Sequence, residues 1–160
     1  MSVAESNLPD GDSASIAASI RQIVDRQKAA HLAEGPPSVK RRKDWLDRSI
    51  GLLVDYQKEI VEALAADFGH RSHEQTLLTD VMGSIGPLKH AKAHLEQWMK
   101  PEKRKVQFPL GLFGAKARVE YQPLGVIGVI SPWNFPVNLT MAPLAGIFAA
   151  GNREIGRAHV

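Results

Sequence analysis

An asparagine held between two prolines is the residue of this chain best suited to chemistry. Pro132 and Pro136 flank Trp133, Asn134 and Phe135, so this stretch cannot be regular structure and its backbone is restricted to one shape. The Asn134 amide can donate hydrogen bonds without carrying charge, which suits a developing oxyanion. A plainer interpretation is that Asn134 caps or bonds its own turn. The loop composition alone leaves both interpretations open.

The segments on either side of this loop predict the elements that must position it. The β-branched run over 126–130 is typical of a parallel strand buried on both faces. Apolar residues return at helical spacing over 138–150, and Gly151-Asn152 is a typical helix end. A strand, a loop and a helix in this order open a parallel α/β sheet, in which ligands bind outside the carboxyl ends of the strands.

The residues before this unit have mainly helical patterns. Residues 1–12 are polar and contain glycine and proline, which predicts a mobile arm. Residues 105–114 are loop-like, and the alternation over 117–121 predicts a strand with one solvated face. The predicted helices cover Ser13 to about Ala33, Ser38 to about Gly69, and His73 to Met99, the last with a kink or break at Gly83–Pro87.

A longer motif surrounds the asparagine loop. Residues 125–136 read GVIGVISPWNFP, and the helix after them ends in AAGN at 149–152. This pattern strongly resembles the aldehyde dehydrogenase superfamily. The chain has no Gly-x-Gly-x-x-Gly, which fits the resemblance because this family uses a variant nucleotide-binding fold. Upstream, DFGHRS at 67–72 and WMKPE at 98–102 are similar to the coniferyl aldehyde dehydrogenase branch.

The resemblance implies a truncated aldehyde dehydrogenase-like α/β fold. An N-terminal helical region is expected at 13–114. The start of an NAD(P)-binding domain, with the first strand, loop and helix of a parallel sheet, is expected at 115–153. The implied partner is a small aldehyde, coniferyl or a related aromatic or fatty one, and the parent enzyme is expected to be a homo-oligomer.

The resemblance also implies roles for the loop residues. The coenzyme, NAD or NADP, is expected against the backbone of Ile130, Ser131, Pro132 and Trp133. Asn134 is expected to be the side-chain half of an oxyanion hole. In the family, a cysteine thiolate attacks the aldehyde, and the asparagine amide and the cysteine's own N–H hold the tetrahedral oxyanion. Hydride then passes to NAD(P)+, and a glutamate-activated water hydrolyses the thioester.

The chain departs from the family pattern in the parts that complete this chemistry. It has no cysteine and no Leu-Glu-Leu-Gly-Gly segment, which carries the family's glutamate. The apolar strand expected after Gly151-Asn152 is also missing, and the chain continues as REIGRAHV over 153–160. The sequence therefore predicts an N-terminal fragment of the enzyme that is itself inactive.

The last residues have an interpretation of their own. EIGRAHV, at 154–160, can be encoded by a frame that contains AGATCGGAAGAGCACACGTC, a common sequencing-adaptor string. We therefore expect that a genuine reading frame ran into adaptor sequence and that residues 154–160 are a non-native tail.

Composition and charge exclude several classes of protein. Apolar residues make up 44% and charged residues 23%, which is typical of a globular chain. A net charge of +3 is too small to indicate nucleic-acid binding, and the basic run KPEKRK at 100–105 is typical of a solvated connector. The sequence shows no secretory signal and no membrane-spanning run, so a cytoplasmic protein is expected.

Two further possibilities remain from the residues alone. His90 and His94 stand four apart on a predicted helix, but no adjacent ligand of the HExxH type accompanies them, so no metal site is predicted. Residues 13–100 would also suit a stand-alone helical interaction module without catalysis. The downstream genomic frame discriminates that module from the enzyme.

Overall fold

The computed structural model describes residues 10–158, with side chains at 14–155. Helices dominate the part before residue 100, and a small βαβ unit follows, so the predicted α/β fold class is confirmed. The predicted mobile arm lies outside the described residues at 1–9, and residues 10–12 already belong to the first helix. The helices are α1 (Asp10–Glu34), α2 (Val39–Asp55), α3 (Gln57–Phe68), α4 (His73–Thr76), α5 (Gly83–Trp98) and α6 (Pro136–Ala149), and the strands are β1 (Glu102–Arg104), β2 (Ala117–Val119), β3 (Val126–Ser131) and β4 (Arg153–Ala158).

The second predicted helix is two helices in the structure. Ser38 caps α2, since its hydroxyl oxygen accepts a hydrogen bond from the N–H of Arg41 at 3.3 Å. At Tyr56 the backbone leaves the helical conformation, with φ −104° and ψ 17°, so α3 begins afresh at Gln57. Gly69 then ends α3 in the left-handed conformation, which favours glycine.

The irregularity predicted at Gly83–Pro87 lies earlier in the chain. α4 runs into a π-helical segment, Leu77–Met82, and α5 then continues through Pro87 without a break. A π-helical turn shifts the hydrogen-bond register by one residue, and such turns are frequent at functional sites. The irregular segment therefore precedes the proline, which lies inside the regular helix α5.

The apolar core lies between α2, α5 and α6. Leu46 and Leu53 of α2 and Leu88 and Leu95 of α5 are fully buried. Ala145 and Ala149 of α6 belong to the same cluster, and their small side chains let α6 approach closely. Burying each leucine contributes roughly 1.5–3 kcal/mol. The packing therefore fixes α6, the helix that follows the candidate loop, against the helical region.

A short antiparallel ribbon joins the helical region to the βαβ unit. β1 pairs with β2, with Glu102 opposite Val119 and Arg104 opposite Ala117. β2 is shorter than the strand predicted over 117–121, and β1 lies in the run predicted to be a solvated connector. The side chains of β1 are polar and are exposed or half-buried, so the sequence shows no alternation of apolar residues there.

β3 and β4 pair in parallel, from Val126 opposite Arg153 to Ser131 opposite Ala158, and α6 forms the crossover between them. The sequence predicts no native strand after Gly151-Asn152, and the structure nevertheless pairs residues 153–158 with β3. Such pairing uses main-chain N–H and C=O groups, which nearly every residue supplies. The pairing of β4 with β3 does not test whether residues 154–160 are native, so the non-native tail stays a prediction.

β3 is not buried on both faces in the described part of the chain. Ile130 is 82% exposed, although it belongs to the β-branched run. Phe108, Leu112 and Phe113, in the segment between β1 and β2, are also largely exposed. Exposed apolar groups on this scale mark an interaction surface or a liability to aggregate.

We therefore expect the isolated 160-residue chain to self-associate. A two-stranded sheet is marginally stable on its own, and the exposed side chains gain by contact with other copies. Light scattering at rising protein concentration should show growing particles, and residues 115–158 should melt without a cooperative transition. A monomer that unfolds in a single cooperative step would contradict this expectation.

Candidate active site

The predicted site residues form one continuous segment at the carboxyl end of β3. Ile130 and Ser131 are the last residues of the strand, and Pro132, Trp133 and Asn134 form the loop that follows. α6 begins two residues after Asn134. The segment therefore lies where open parallel sheets bind their ligands.

Ser131 is turned inward and anchors the end of the strand. Its side chain is buried, and its Oγ lies 2.6 Å from the Oγ1 of Thr140. The Thr140 hydroxyl also lies 2.5 Å from the Pro136 carbonyl oxygen. Because one hydroxyl carries one hydrogen, Thr140 donates to Pro136 and accepts from Ser131. The Ser131 side chain is thus occupied, and only its main chain faces the site.

The other predicted coenzyme contacts are open. Pro132 is exposed, and Trp133 is 71% exposed. The Trp133 ring lies 6.4 Å from the ring of Phe68, centroid to centroid, at the end of α3. Ile130 is exposed as well, but it borders a groove formed with Ile16 and Ile20 of α1, whereas Trp133 borders one formed with Phe68. Each side chain offers van der Waals contact next to the main-chain hydrogen-bonding groups of the strand end and the loop.

Asn134 has a free side chain and a bonded main chain. The residue is exposed, and within residues 14–155 its amide makes no hydrogen bond. The plainer interpretation, in which Asn134 caps or bonds its own turn, is therefore not what the structure shows. Its carbonyl oxygen instead accepts a hydrogen bond from Nη1 of Arg71 at 2.9 Å.

The first turn of α6 is capped by a residue from another element. Phe135 at the N-cap offers no side-chain acceptor, and Pro136 has no N–H. Asp80, in the π-helical segment, places its Oδ1 3.1 Å from the N–H of Val137 and 3.1 Å from that of Asn138. A carboxylate at this point also matches the positive end of the helix dipole.

Arg71 connects Asp80 to the loop. Its Nη2 is paired with Oδ2 of Asp80, and the two side chains are 5% and 0% exposed. The guanidinium lies between two rings, 4.9 Å from the centroid of Phe68 and 5.1 Å from that of Phe135. Its Nε has no partner among the described residues. Removing one partner of such a buried pair typically costs about 3–5 kcal/mol.

Sequence reasoning missed both Arg71 and Asp80. One signal was available for Asp80, because a lone acid interrupts the apolar stripe LLTDVM at 77–82. Charged residues are almost never fully buried unless they are paired. Nothing in the sequence pairs Asp80 with Arg71 or aims it at Val137, since that contact spans 57 positions.

The other end of α6 is held by a buried cation. Gly151, with φ 83°, and Asn152 close the helix by donating to the carbonyls of Phe148 at 3.0 Å and Ile147 at 2.9 Å. Nη1 of Arg42 donates to the Ala149 carbonyl at 2.9 Å. Burial lowers the pKa of the Arg42 guanidinium, which still stays protonated.

Asn152 links this helix end to the start of β3. Its side-chain oxygen accepts a hydrogen bond from the N–H of Gly125 at 2.9 Å. The N–H of Arg153 donates to the Gly125 carbonyl at 2.8 Å. The turn after α6 therefore fixes both the helix and the strand that carry the candidate loop.

The histidine pair takes part in a surface cluster. His90 and His94 have ring centroids 4.2 Å apart, and both rings lie against Trp98. Across the part of the chain that the structure describes, no three metal-ligating side chains come together. The same residues contain no helix long and apolar enough to cross a membrane.

Comparison with known proteins gives a consistent result. The sequence profile of the Aldehyde dehydrogenase family matches residues 8–158. A probable coniferyl aldehyde dehydrogenase of Caulobacter vibrioides is 66% identical over 137 residues, which are 85% of this chain and 28% of that protein. The coniferyl aldehyde dehydrogenase of a Pseudomonas species is 54% identical over 132 residues, 82% of this chain and 27% of that protein. The chain thus spans less than a third of these relatives.

Solved structures match over a similar share. The substrate-bound AldH of Staphylococcus aureus superposes with a TM-score of 0.76 and 29% identity, covering 86% of this chain and 29% of that one. An NAD-dependent benzaldehyde dehydrogenase of Corynebacterium glutamicum gives a TM-score of 0.70 and 26% identity, covering 85% and 28%. The helical region and the βαβ unit therefore occur together in these enzymes.

The contact between Gly151 and Arg42 predicts an unusually costly glycine substitution. A Cβ at Gly151 would lie 2.7 Å from Cζ of Arg42, on a backbone with φ 83°. In the full-length protein, Gly151→Ala should lower the free energy of unfolding by about 2–5 kcal/mol, the sum of left-handed strain and overpacking. Denaturant titration measures this loss.

Gly69 provides the matched control. Its φ is 71°, but a Cβ there would meet nothing within 4 Å. Gly69→Ala should therefore cost only the strain, about 1–2 kcal/mol. Equal losses for the two variants would show that the Arg42 contact is unimportant.

Proposed function

Because the chain belongs to the aldehyde dehydrogenase family, we propose that it is the N-terminal part of an NAD(P)-dependent enzyme that oxidises an aldehyde to the acid. The observation that carries this proposal is the arrangement at the carboxyl end of β3. There the unbonded amide of Asn134 directly follows Trp133, in the exposed loop after Ile130 and Ser131. In this proposal the oxyanion donor and the main chain that holds the coenzyme belong to one continuous segment.

The proposed task of Asn134 is to donate an N–H hydrogen bond to the aldehyde oxygen as that oxygen gains negative charge. A donor held in place before the reaction stabilises the charged transition state more than the neutral aldehyde. Because the amide is uncharged and makes no competing hydrogen bond within the described chain, substrate has to displace only water from it.

The fit of a nicotinamide coenzyme is supported by this chain's own residues. When bound, the coenzyme supplies a hydride acceptor. We propose that the main chain of Ile130, Ser131, Pro132 and Trp133 holds its nicotinamide side. The inward bond of Ser131 to Thr140 keeps that main chain fixed, and the exposed Ile130 and Trp133 offer apolar contact. Either NAD or NADP suits this part of the site.

The remaining catalytic groups are proposed to lie outside this chain. The chain has no cysteine, so the thiolate that attacks the aldehyde must come from another part of the full-length enzyme. We propose the same for the glutamate that activates water. The helical region at 13–114 and the partial coenzyme domain at 115–153 then support half of a site, and the chain alone is inactive.

Coniferyl aldehyde or a related aromatic aldehyde is the proposed substrate. Its support is the identity of 66% and 54% to proteins named as coniferyl aldehyde dehydrogenases. We also propose, from membership of the family, that the full-length enzyme is a homo-oligomer.

The final residues are proposed to be foreign to this enzyme. Oε1 of Glu154 is buried without a hydrogen-bond partner among the described residues. Glu154 lines a cavity of about 570 Å³ with Met141, Leu144 and Phe148, and burial raises the pKa of its carboxyl group. The same cavity is also lined by Arg41 and Arg48, and neither of them bonds the buried oxygen. A carboxyl oxygen buried without a hydrogen-bond partner costs free energy.

Replacement of the proposed oxyanion donor tests the function. In the full-length enzyme, Asn134→Ala should lower kcat for coniferyl aldehyde about 10²–10³-fold, equivalent to about 2.7–4 kcal/mol of transition-state stabilisation. Coenzyme reduction followed at steady state, with NAD+ and NADP+ in turn, measures the loss. The KM for the coenzyme should change little, because its proposed contacts are with the main chain.

Gln122→Ala is the matched control, since it removes an exposed amide elsewhere on the surface. It should leave kcat unchanged. Near-normal turnover by Asn134→Ala would contradict the oxyanion role of Asn134. A wild-type enzyme that oxidises no aldehyde would contradict the proposed function itself.

Resequencing of the locus tests whether residues 154–160 are foreign. It also tests the alternative that the chain is a stand-alone helical interaction module. The genuine frame should depart from EIGRAHV after Arg153 and continue through an apolar strand to a Leu-Glu-Leu-Gly-Gly segment and a Gly-Gln-x-Cys-like segment. Genomic codons for EIGRAHV followed by a stop would contradict both proposals. That outcome would favour a helical interaction module over residues 13–100.

A further inference from the structure

We propose that Arg71 and Asp80 are positioning residues, which hold the Asn134 amide where it meets the aldehyde oxygen. The inference rests on the oxyanion role proposed for Asn134. Arg71 and Asp80 bond the main chain of 134–138 and leave the Asn134 side chain free. They act on the reaction only through the loop.

The loop needs this support because it has little of its own. Pro132 and Pro136 remove two N–H donors, and the residues between them form no regular structure. Thr140 holds the loop at its strand end through Ser131. Asp80 holds it at its helix end through the amides of Val137 and Asn138.

Arg71 holds the middle of the loop, at Asn134. Nη1 of Arg71 donates to the Asn134 carbonyl, so the peptide plane that follows Asn134 is fixed. The guanidinium cannot swing away, because it is paired with Asp80 and lies between Phe68 and Phe135. A catalytic amide must stay within about 0.5 Å of its productive position to be effective. Arg71 therefore fixes the main chain from which the Asn134 side chain extends.

The charge of Arg71 is not the useful property. Asp80 neutralises it in direct contact, so little field is left to stabilise an oxyanion. The useful property is the fork geometry, which bonds the Asp80 carboxylate and the Asn134 carbonyl at once. Lysine keeps the charge but has no rigid fork. Arg71→Lys thus separates charge from positioning.

The π-helical segment fixes the register of the same contact. Its Thr79 carbonyl accepts a hydrogen bond from Nδ2 of Asn138 at 2.7 Å. A Cβ at Gly83, the next residue after the segment, would lie 2.8 Å from that nitrogen, so a larger residue there would displace the Asn138 amide from this bond. Asp80 and Thr79 together hydrogen-bond the first turn of α6, which fixes the position of that turn relative to the π-helical segment.

A double-mutant cycle in the full-length enzyme tests the proposal. Arg71→Lys should lower kcat roughly 10- to 100-fold, as misplacement by about 1 Å does, with the coenzyme KM within about twofold of wild type. In an Asn134→Ala background the same substitution should have an effect on kcat of less than about twofold, because the group being positioned is gone. A role in overall stability would instead give independent, multiplicative losses.

Hydrogen exchange provides a second measurement that does not need activity. Asp80→Asn should increase exchange at the amides of Val137 and Asn138, while the β3 amides keep their protection. Asp47→Asn is the matched control, since Asp47 makes an exposed ion pair with Lys92 and touches no part of the site. It should change neither exchange at 137–138 nor kcat.

The outcomes separate the two proposals. Loss of turnover in Asn134→Ala together with wild-type kcat in Arg71→Lys overturns positioning and leaves the proposed function intact. Multiplicative losses in the cycle, or unchanged exchange at Val137 and Asn138 in Asp80→Asn, also overturn it. A wild-type enzyme without aldehyde oxidation overturns the proposed function, and the exchange measurement still decides whether Asp80 holds the loop.

Discussion

The buried carboxylate of Asp80 is the contact on which the candidate site depends. One of its oxygens satisfies the first free amides of α6, and the other neutralises Arg71. A buried charge is tolerated only when it is paired and hydrogen-bonded. Arg71 and Asp80 can therefore be buried only as a pair, and together they connect the helical region to the loop that carries Asn134.

α6 is held at both ends by buried charges of opposite sign. Asp80 lies at its positive N-terminus, and Arg42 bonds a carbonyl at its negative C-terminus. Both charged residues come from the N-terminal helices, so the helix dipole orients α6 with respect to that region. Packing of Ala145 and Ala149 against the leucine core sets the distance between α6 and the N-terminal helices. The candidate loop is therefore positioned by contacts from the helical layer.

The surface around the carboxyl end of β3 is apolar. Ile130 and Trp133 are exposed at the carboxyl end of a strand that has one partner in the described chain. A parallel strand of this composition is normally covered on both faces. In the proposed full-length enzyme, further strands together with the proposed thiolate and general base would cover these exposed groups.

Local patterns in the sequence determined the parts of this protein that short-range physics controls. These include the helical spacing over 13–99, the β-branched run of β3, the prolines around Asn134 and the glycine that ends α6. Only the tertiary structure decided the rest. β1 carries no apolar alternation and exists through its pairing with β2, and the π-helical segment has no signature of its own. The lone acid at 80 indicated a buried, paired charge, but its pairing with Arg71 and the contact of Arg71 with Asn134 could not be predicted. Those contacts span up to 63 positions, and packing and desolvation in three dimensions decide which buried charges pair.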